Sequence, residues 1–359
     1  MTSGSSPLPG LENSMKRNKK NIIERLKKDI VIGAEGYVFE LERRGYIKAG
    51  PYVPEVVLDF PDAVRELHRE FLRSGSEVMV ALTYYANRNK LADIGRENDL
   101  EKLNRKAVQI ANEVALEYDA LVAGNICNTW MYDPNDKLTS SKIVRKMYRE
   151  QLQWAVDEGI DFVISETNDY LGEALIGLEE IKRLGLPAMV TLATVQREKT
   201  RDGYRYADAC RILAKNGADI VGLNCDHGPA TMFPIIKEIR KNVDCFVAMQ
   251  PVPYRTTDKT PAFENLRRYG KGAYPIALEP FQMDRFALAK FAKEAKKIGV
   301  NYIGLCCGNA PIYTRAVAEA LGRNVISGKY SPALELHPMS QNRRKKKDKK
   351  FTDDWQLIK

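Results

Sequence analysis

Eight short apolar runs recur along the chain, and each is followed by a longer segment whose apolar positions return every three to four residues. The short runs are 30–34 (IVIGA), 77–83 (EVMVALT), 120–124 (ALVAG), 161–165 (DFVIS), 188–192 (AMVTL), 219–223 (DIVGL), 245–249 (CFVAM) and 301–305 (NYIGL). Most are continuously apolar, as parallel strands buried on both faces require. Helical periodicity covers 62–74, 98–118, 141–158, 171–184, 206–216, 232–241, 285–298 and 312–321. Small turn-formers close five of these helices just before a strand: Gly75, Gly159, Gly185, Gly217 and Gly299. Eight strand–helix units predict an α/β fold, a (β/α)8 TIM barrel. An open doubly wound sheet is the alternative, but no G-x-G-x-x-G follows the first strand and no Walker A motif occurs.

The pattern divides the chain into a flexible N-terminal tail (1–20), a barrel (21–322) and a basic C-terminal extension (323–359). The net charge of +9 sits in the ends. Residues 16–28 and 343–350 each carry seven bases and one acid, so the remainder of the chain is slightly acidic. Charged tails on a barrel therefore explain the basicity, and no nucleic-acid-binding motif accompanies it. No apolar stretch approaches the roughly 18 residues of a membrane span, and the first twenty residues lack a secretory apolar region. A cytoplasmic protein is expected, in which six cysteines serve as thiols or metal ligands rather than disulfides.

Active-site groups of a barrel stand where strands end and βα-loops begin. That rule selects Glu35 and Gly36 after strand 1, Tyr84 and Tyr85 after strand 2, Asn125 and Cys127 at strand 3, and Glu166 after strand 4. It also selects Cys225 after strand 6, Gln250 after strand 7, and Cys306 and Cys307 after strand 8. Cys210 and Cys245 fall elsewhere and read as packed thiols. Three thiols at one rim suggest zinc, which prefers soft sulfur donors and leaves a fourth tetrahedral position open. An accidental cysteine pair or a vicinal disulfide would give the same spacing, since no C-x-x-C pair occurs.

The segments GLNC (222–225), GLCCG (304–308) and SET (165–167) resemble the homocysteine S-methyltransferase family. Within it, 41–55 (LERRGYIKAGPYVPE) and 67–85 (LHREFLRSGSEVMVALTYY) look like the betaine–homocysteine S-methyltransferases. The resemblance runs over about residues 20–322. It implies a Zn2+-dependent transfer of a methyl group from a small onium zwitterion, glycine betaine first, to homocysteine. A sulfonium donor is the same-family alternative: S-methylmethionine, dimethylsulfoniopropionate or dimethylsulfonioacetate. A barrel lyase or hydrolase using Glu35 and Glu166, with merely structural cysteines, is the alternative of another class.

The resemblance further implies that Cys225, Cys306 and Cys307 hold zinc and that Glu166 binds the homocysteine amino group. Where the family has Asp-Gly-Gly after strand 1, this chain has Ala34-Glu35-Gly36, which makes Glu35 a candidate second ammonium ligand. Tyr52 stands where relatives often carry Trp, and Tyr84 where they carry Phe; with Tyr85 they offer aromatic faces to an onium group. Tyr85 and Glu166 are the candidate catalytic groups. His337, in LELHPMS, resembles a segment that reaches toward the donor carboxylate, within or between subunits of an expected homo-oligomer. His68 reads as structural, and His227, two residues after Cys225, as a weaker competitor for the metal.

Overall fold

The computed structural model describes residues 21–195 and 198–336. Eight parallel strands close into a barrel: β1 (Val31–Ala34), β2 (Val78–Val80), β3 (Leu121–Cys127), β4 (Phe162–Asn168), β5 (Ala188–Ala193), β6 (Ile220–Asn224), β7 (Phe246–Gln250) and β8 (Tyr302–Ile303). Each strand pairs with its sequence neighbours, and β1 pairs with β8 to close the ring. Nearly every strand residue is buried, which is why these runs are apolar without alternation. Among the described residues, no helix is long and apolar enough to cross a membrane.

The helical shell follows the periodic segments to within a few residues: α4 (Pro61–Arg73), α6 (Leu100–Tyr118), α7 (Lys137–Asp157), α8 (Leu171–Arg183), α9 (Tyr206–Lys215), α10 (Pro229–Asn242), α11 (Arg285–Lys297) and α12 (Pro311–Ala320). Short helices α1 (Ile22–Lys28), α2 (Tyr37–Arg43), α3 (Val56–Asp59) and α5 (Arg88–Ala92) lie before and between them. Local chemistry starts them: Asn21 and Glu24 form a capping box on α1, and Asp284 accepts from the Ala287 N–H at the start of α11. Proline occupies the first turn of α4, α10 and α12, where its missing N–H costs nothing. The five glycines expected to end helices all have positive φ.

Four strands depart from the expected lengths: β3 runs on to Cys127, β8 keeps only Tyr302–Ile303, and β2 and β4 change beside the site. β2 ends at Val80 because the chain turns at once, with the Thr83 N–H bonded to Ala81 O (2.7 Å) and Thr83 Oγ1 to Asn125 O (2.7 Å). β4 instead runs on to Asn168, with a register shift between Ser165 and Asn168 that bends the strand just where Glu166 lies. Helix α2 and the segment 251–284, with its short antiparallel pair (Arg267–Arg268 with Lys271–Gly272), were not signalled by periodicity. The start of the extension is tied down: Val325 packs with Ile32 and Ala318, and Arg323 bonds Asp29 (3.0 Å) beside the entry to β1. That end of the barrel is opposite the rim carrying the cysteines.

Candidate active site

The carboxyl ends of the strands surround a cavity of about 400 Å³. Its lining includes Glu35, Gly36, Tyr52, Tyr84, Tyr85, Glu166, Cys225, Cys306 and Cys307. Every candidate named from strand ends, apart from Cys127 and Gln250, is therefore on one wall or another of a single chamber. His337 lies outside the described residues. His68, on α4, is buried against Tyr37 (4.9 Å, edge to face) and does not line the chamber.

Cys225, Cys306 and Cys307 bring their Sγ atoms within 4.8 Å of one another, with Cys225 and Cys307 at 3.5 Å. Tetrahedral zinc with Zn–S near 2.3 Å would need sulfurs about 3.8 Å apart, so the donor set and spacing fit. The Cys306 thiol is pushed well down by hydrogen bonds from Cys225 and Cys307, and Asn224 Nδ2 stands 3.8 Å from its sulfur. Glu35, Glu166 and Cys306 form a second tight group, again within 4.8 Å.

Gly36 explains part of this closeness. It has φ +84°, caps α2, and a Cβ there would meet Cys306 O at 2.4 Å. Only glycine allows both the left-handed turn and the close approach of the β1 loop to the cysteine pair. Asn309 ties the same loop down by donating to Glu35 O (3.1 Å).

Glu166 is held by two amides: Asn125 Nδ2 donates to Oε1 (2.5 Å) and Asn224 Nδ2 to Oε2 (3.1 Å). Asn224 is itself fixed, accepting from the Thr167 N–H and from Thr191 Oγ1, both at 2.8 Å. Burial, with the Cys306 charge nearby, pushes the Glu166 carboxyl up to about 8. Glu35 is 3% exposed, neither of its carboxylate oxygens has a hydrogen-bond partner, and burial followed by Glu166 raises it well above the ordinary range. Neither acid has an ion-pair partner among the described residues, and a cation entering between them would offset both their burial and their mutual repulsion.

The aromatic wall is larger than the sequence suggested. Tyr52 stacks on Phe39 (5.2 Å), Phe263 stacks on Tyr254 (5.5 Å), and Tyr274 meets Phe263 edge-on (5.3 Å). Tyr84 and Tyr85 form a separate pair (4.2 Å). Tyr85 already has the Lys90 ammonium 5.2 Å from its ring centre and donates its N–H to Cys127 Sγ (3.3 Å). Phe263 and Tyr274, with the acids Asp226 and Glu264, were missed because they lie in or beside the aperiodic segment after β7. Backbone strain marks the same place. Of eight non-glycine residues with positive φ among those described, six line the cavity: Tyr52, Tyr85, Trp130, Thr167, Cys225 and Asp226.

The homocysteine S-methyltransferase family model matches residues 33–321, the whole barrel. The chain belongs to the homocysteine S-methyltransferase family. It is 38% identical over 334 residues to betaine–homocysteine S-methyltransferase 1 of Mus musculus, covering 90% of this chain and 79% of that protein. It is 34% identical over 333 residues to the S-methylmethionine–homocysteine S-methyltransferase BHMT2 of Mus musculus, covering 89% and 86%. The metallated form of the homocysteine methyltransferase MmuM from Escherichia coli shares the fold, with a TM-score of 0.64 at 19% identity over 82% of this chain and 96% of that one. This homocysteine S-methyltransferase family member is thus a methyltransferase built on a closed (β/α)8 barrel.

Proposed function

We propose that the protein moves a methyl group from a small onium donor to the sulfur of homocysteine, with zinc held by Cys225, Cys306 and Cys307. The observation that carries this reading is the convergence of three thiols and the buried Glu35–Glu166 pair in one aromatic-walled chamber. When bound, zinc would supply a Lewis acid that favours the thiolate form of homocysteine near neutral pH.

The protein's own groups do the rest. Glu166, oriented by Asn125 and Asn224, and Glu35 opposite it receive the amino group of homocysteine. An ammonium between two buried carboxyls relieves their mutual repulsion and their lost hydration together. Tyr52 and Tyr84 offer faces to the onium methyls, which can donate no ordinary hydrogen bond. Tyr85 is the poorer face, because Lys90 already lies over it. In the transfer the carbon–nitrogen or carbon–sulfur bond breaks, the leaving amine or sulfide keeps the electron pair, and the sulfur–methyl bond forms. No proton moves in that step, so Tyr85 and Glu166 act by positioning. A chamber poor in water suits it, since charge is more dispersed in the transition state than in the separated ions.

Glycine betaine is the donor that the resemblance favours, and the names of the relatives bracket it with S-methylmethionine. A sulfonium donor is the second reading, supported by the similarity to the S-methylmethionine–homocysteine S-methyltransferase. The deciding experiment is methionine formation from homocysteine by zinc-loaded protein with a panel of ammonium and sulfonium donors. About one zinc per chain and methionine from at least one onium donor are expected. Activity with S-adenosylmethionine alone, or with none, would overturn the reading.

A further inference from the structure

Five acids line the chamber: Glu35, Glu166, Asp169, Asp226 and Glu264. Among the described lining residues the only base is Arg201. Lys90, over the Tyr85 ring, is paired with Asp93 (2.7 Å) and is not part of the lining. Glycine betaine and the sulfonium compounds named above each carry a carboxylate as well as an onium centre. Against an ionised acid that carboxylate is repelled, so Arg201 is the described lining residue whose charge attracts it. A guanidinium stays protonated in proteins, so this attraction does not depend on a titration.

The loop after β5 is built to hold the arginine. A tight turn joins the Gly203 N–H to Thr200 O (2.9 Å), and the Thr200 N–H donates to Tyr204 O (2.8 Å). Asp202 accepts from the Leu171 and Gly172 N–H groups at the start of α8, both at 3.0 Å, which docks the turn on the loop after β4. On that loop Asp169 takes both the Arg201 N–H on its carbonyl (2.9 Å) and Arg201 Nε on Oδ2 (3.1 Å). Backbone and side chain are thus fixed to one residue. Nη1 and Nη2 have no hydrogen-bond acceptor among the described residues, and the side chain is 37% exposed, where the chamber meets solvent. Burial pushes the Tyr85 hydroxyl up and the Asp169 charge adds to it, so the Arg201–Asp169 pair lies on the side of the chamber where Tyr84 and Tyr85 stand. A guanidinium anchored through Nε keeps an outer pair of N–H donors, a fork that matches the two oxygens of a carboxylate.

We propose that Nη1 and Nη2 of Arg201 receive the carboxylate of the onium donor, which makes Arg201 a residue that selects zwitterions over onium compounds lacking a carboxylate. The inference rests on the reading that this chamber binds an onium donor, and it names the group that recognises the donor's second charge. It concerns Arg201 of this chain, not His337, to which the resemblance gives such a role.

The test is equilibrium binding by calorimetry to zinc-loaded, full-length protein, without homocysteine so that no turnover occurs. The probes are glycine betaine and dimethylsulfonioacetate, which carry a carboxylate, and choline, which carries a hydroxyl instead. Arg201→Gln, checked for zinc content and melting temperature, should weaken the carboxylate probe that binds wild type by about tenfold, as a charge-assisted contact at a partly exposed site implies. Choline affinity should stay within about threefold or rise. Asp169→Asn removes the partner of Arg201 but keeps the fork, and should retain carboxylate binding; adding Arg201→Gln to it should bring back the loss. A role confined to holding Asp169 and its loop would instead make Asp169→Asn lose as much as Arg201→Gln. That result, a choline loss equal to the carboxylate loss, carboxylate affinity within threefold of wild type in Arg201→Gln, or no binding of either carboxylate probe would overturn the proposal. If the Arg201 dependence holds but no onium donor yields methionine, the subsite stands and the methyl-transfer reading falls.

Discussion

The helical shell and the chamber treat their acids in opposite ways. On the shell, Glu180 at the foot of α8 is buried, which opposes its charge, yet Arg149, Arg145 and Arg183 hold its carboxyl below the ordinary range. Glu113 and Glu117 of α6 are likewise paired with Arg65 and Arg69 of α4. Within the chamber Glu35 has no hydrogen-bond partner, Asp226 faces Glu264, and Glu166 is held only by neutral donors, two amides and the Thr167 hydroxyl. The shell acids are satisfied by the protein and contribute to helix packing. These chamber acids, unlike Asp169 with its partner Arg201, have no ion-pair partner among the described residues, and the strained backbone around them is part of the same arrangement.

The largest expected break in this contrast comes from the thiols. Cys307→Ala should lower zinc affinity by orders of magnitude, read by metal analysis after dialysis; retention of stoichiometric zinc with full turnover would refute the ligand set. Next comes Glu166→Gln, which should raise the KM for homocysteine about 10- to 150-fold, the worth of a charge-assisted contact, while leaving zinc in place. An unchanged KM would remove Glu166 from the amino-group site.

Gly36→Ala should cost about 1–3 kcal/mol in urea unfolding and also reduce zinc occupancy, because the added Cβ strains a left-handed residue and presses on Cys306 O. Occupancy equal to wild type would show that the β1 loop does not set the cysteine geometry. His68 sharpens the contrast from the core side. Burial holds it down to about 3, below the ordinary value near 6.5. Its folded state therefore binds fewer protons than the unfolded chain between these values. Stability from this residue is fully present above about pH 6.5 and is lost as pH falls toward 3, by up to roughly 1.4 kcal/mol per pH unit. A His68→Leu protein should show a flatter acid limb in its unfolding curve, and identical limbs would contradict the assignment. The smallest effect belongs to the shell: Glu113→Ala, breaking the partly exposed pair with Arg65, should cost about 0.2–1 kcal/mol in the same measurement.

Much of the fold was legible in the chain because strand and helix signals are local. Apolar runs, most of them continuous, marked all eight strands, and Gly75 or Gly299 marked helix ends through left-handed turns that favour glycine. The rule that chemistry gathers at strand ends then picked out Glu35, Glu166 and the cysteines without any contact being known. Helix α2 escaped notice because its seven residues are too few to establish a period, and the segment after β7 because its order comes from docking onto the β6 loop. Hence Phe263, Glu264 and Tyr274 went unseen, although Asp226 stands next to a cysteine that was noticed.

By itself, then, the sequence determined the alternation of strands and helices, the barrel, and the types of residue at each strand end. Periodicity and turn chemistry act over a few residues, and the one closed arrangement of eight such units follows from them. Only the tertiary structure decided which of those residues meet. Cys225 and Cys307 are 82 positions apart, and their 3.5 Å approach exists because β6 and β8 flank β7 in a closed ring. The same closure sets Glu35 beside Glu166, denies both an arginine, and aligns Asp226 with Glu264. Such contacts depend on distances between loops that no local preference specifies, and they give the chamber its charge.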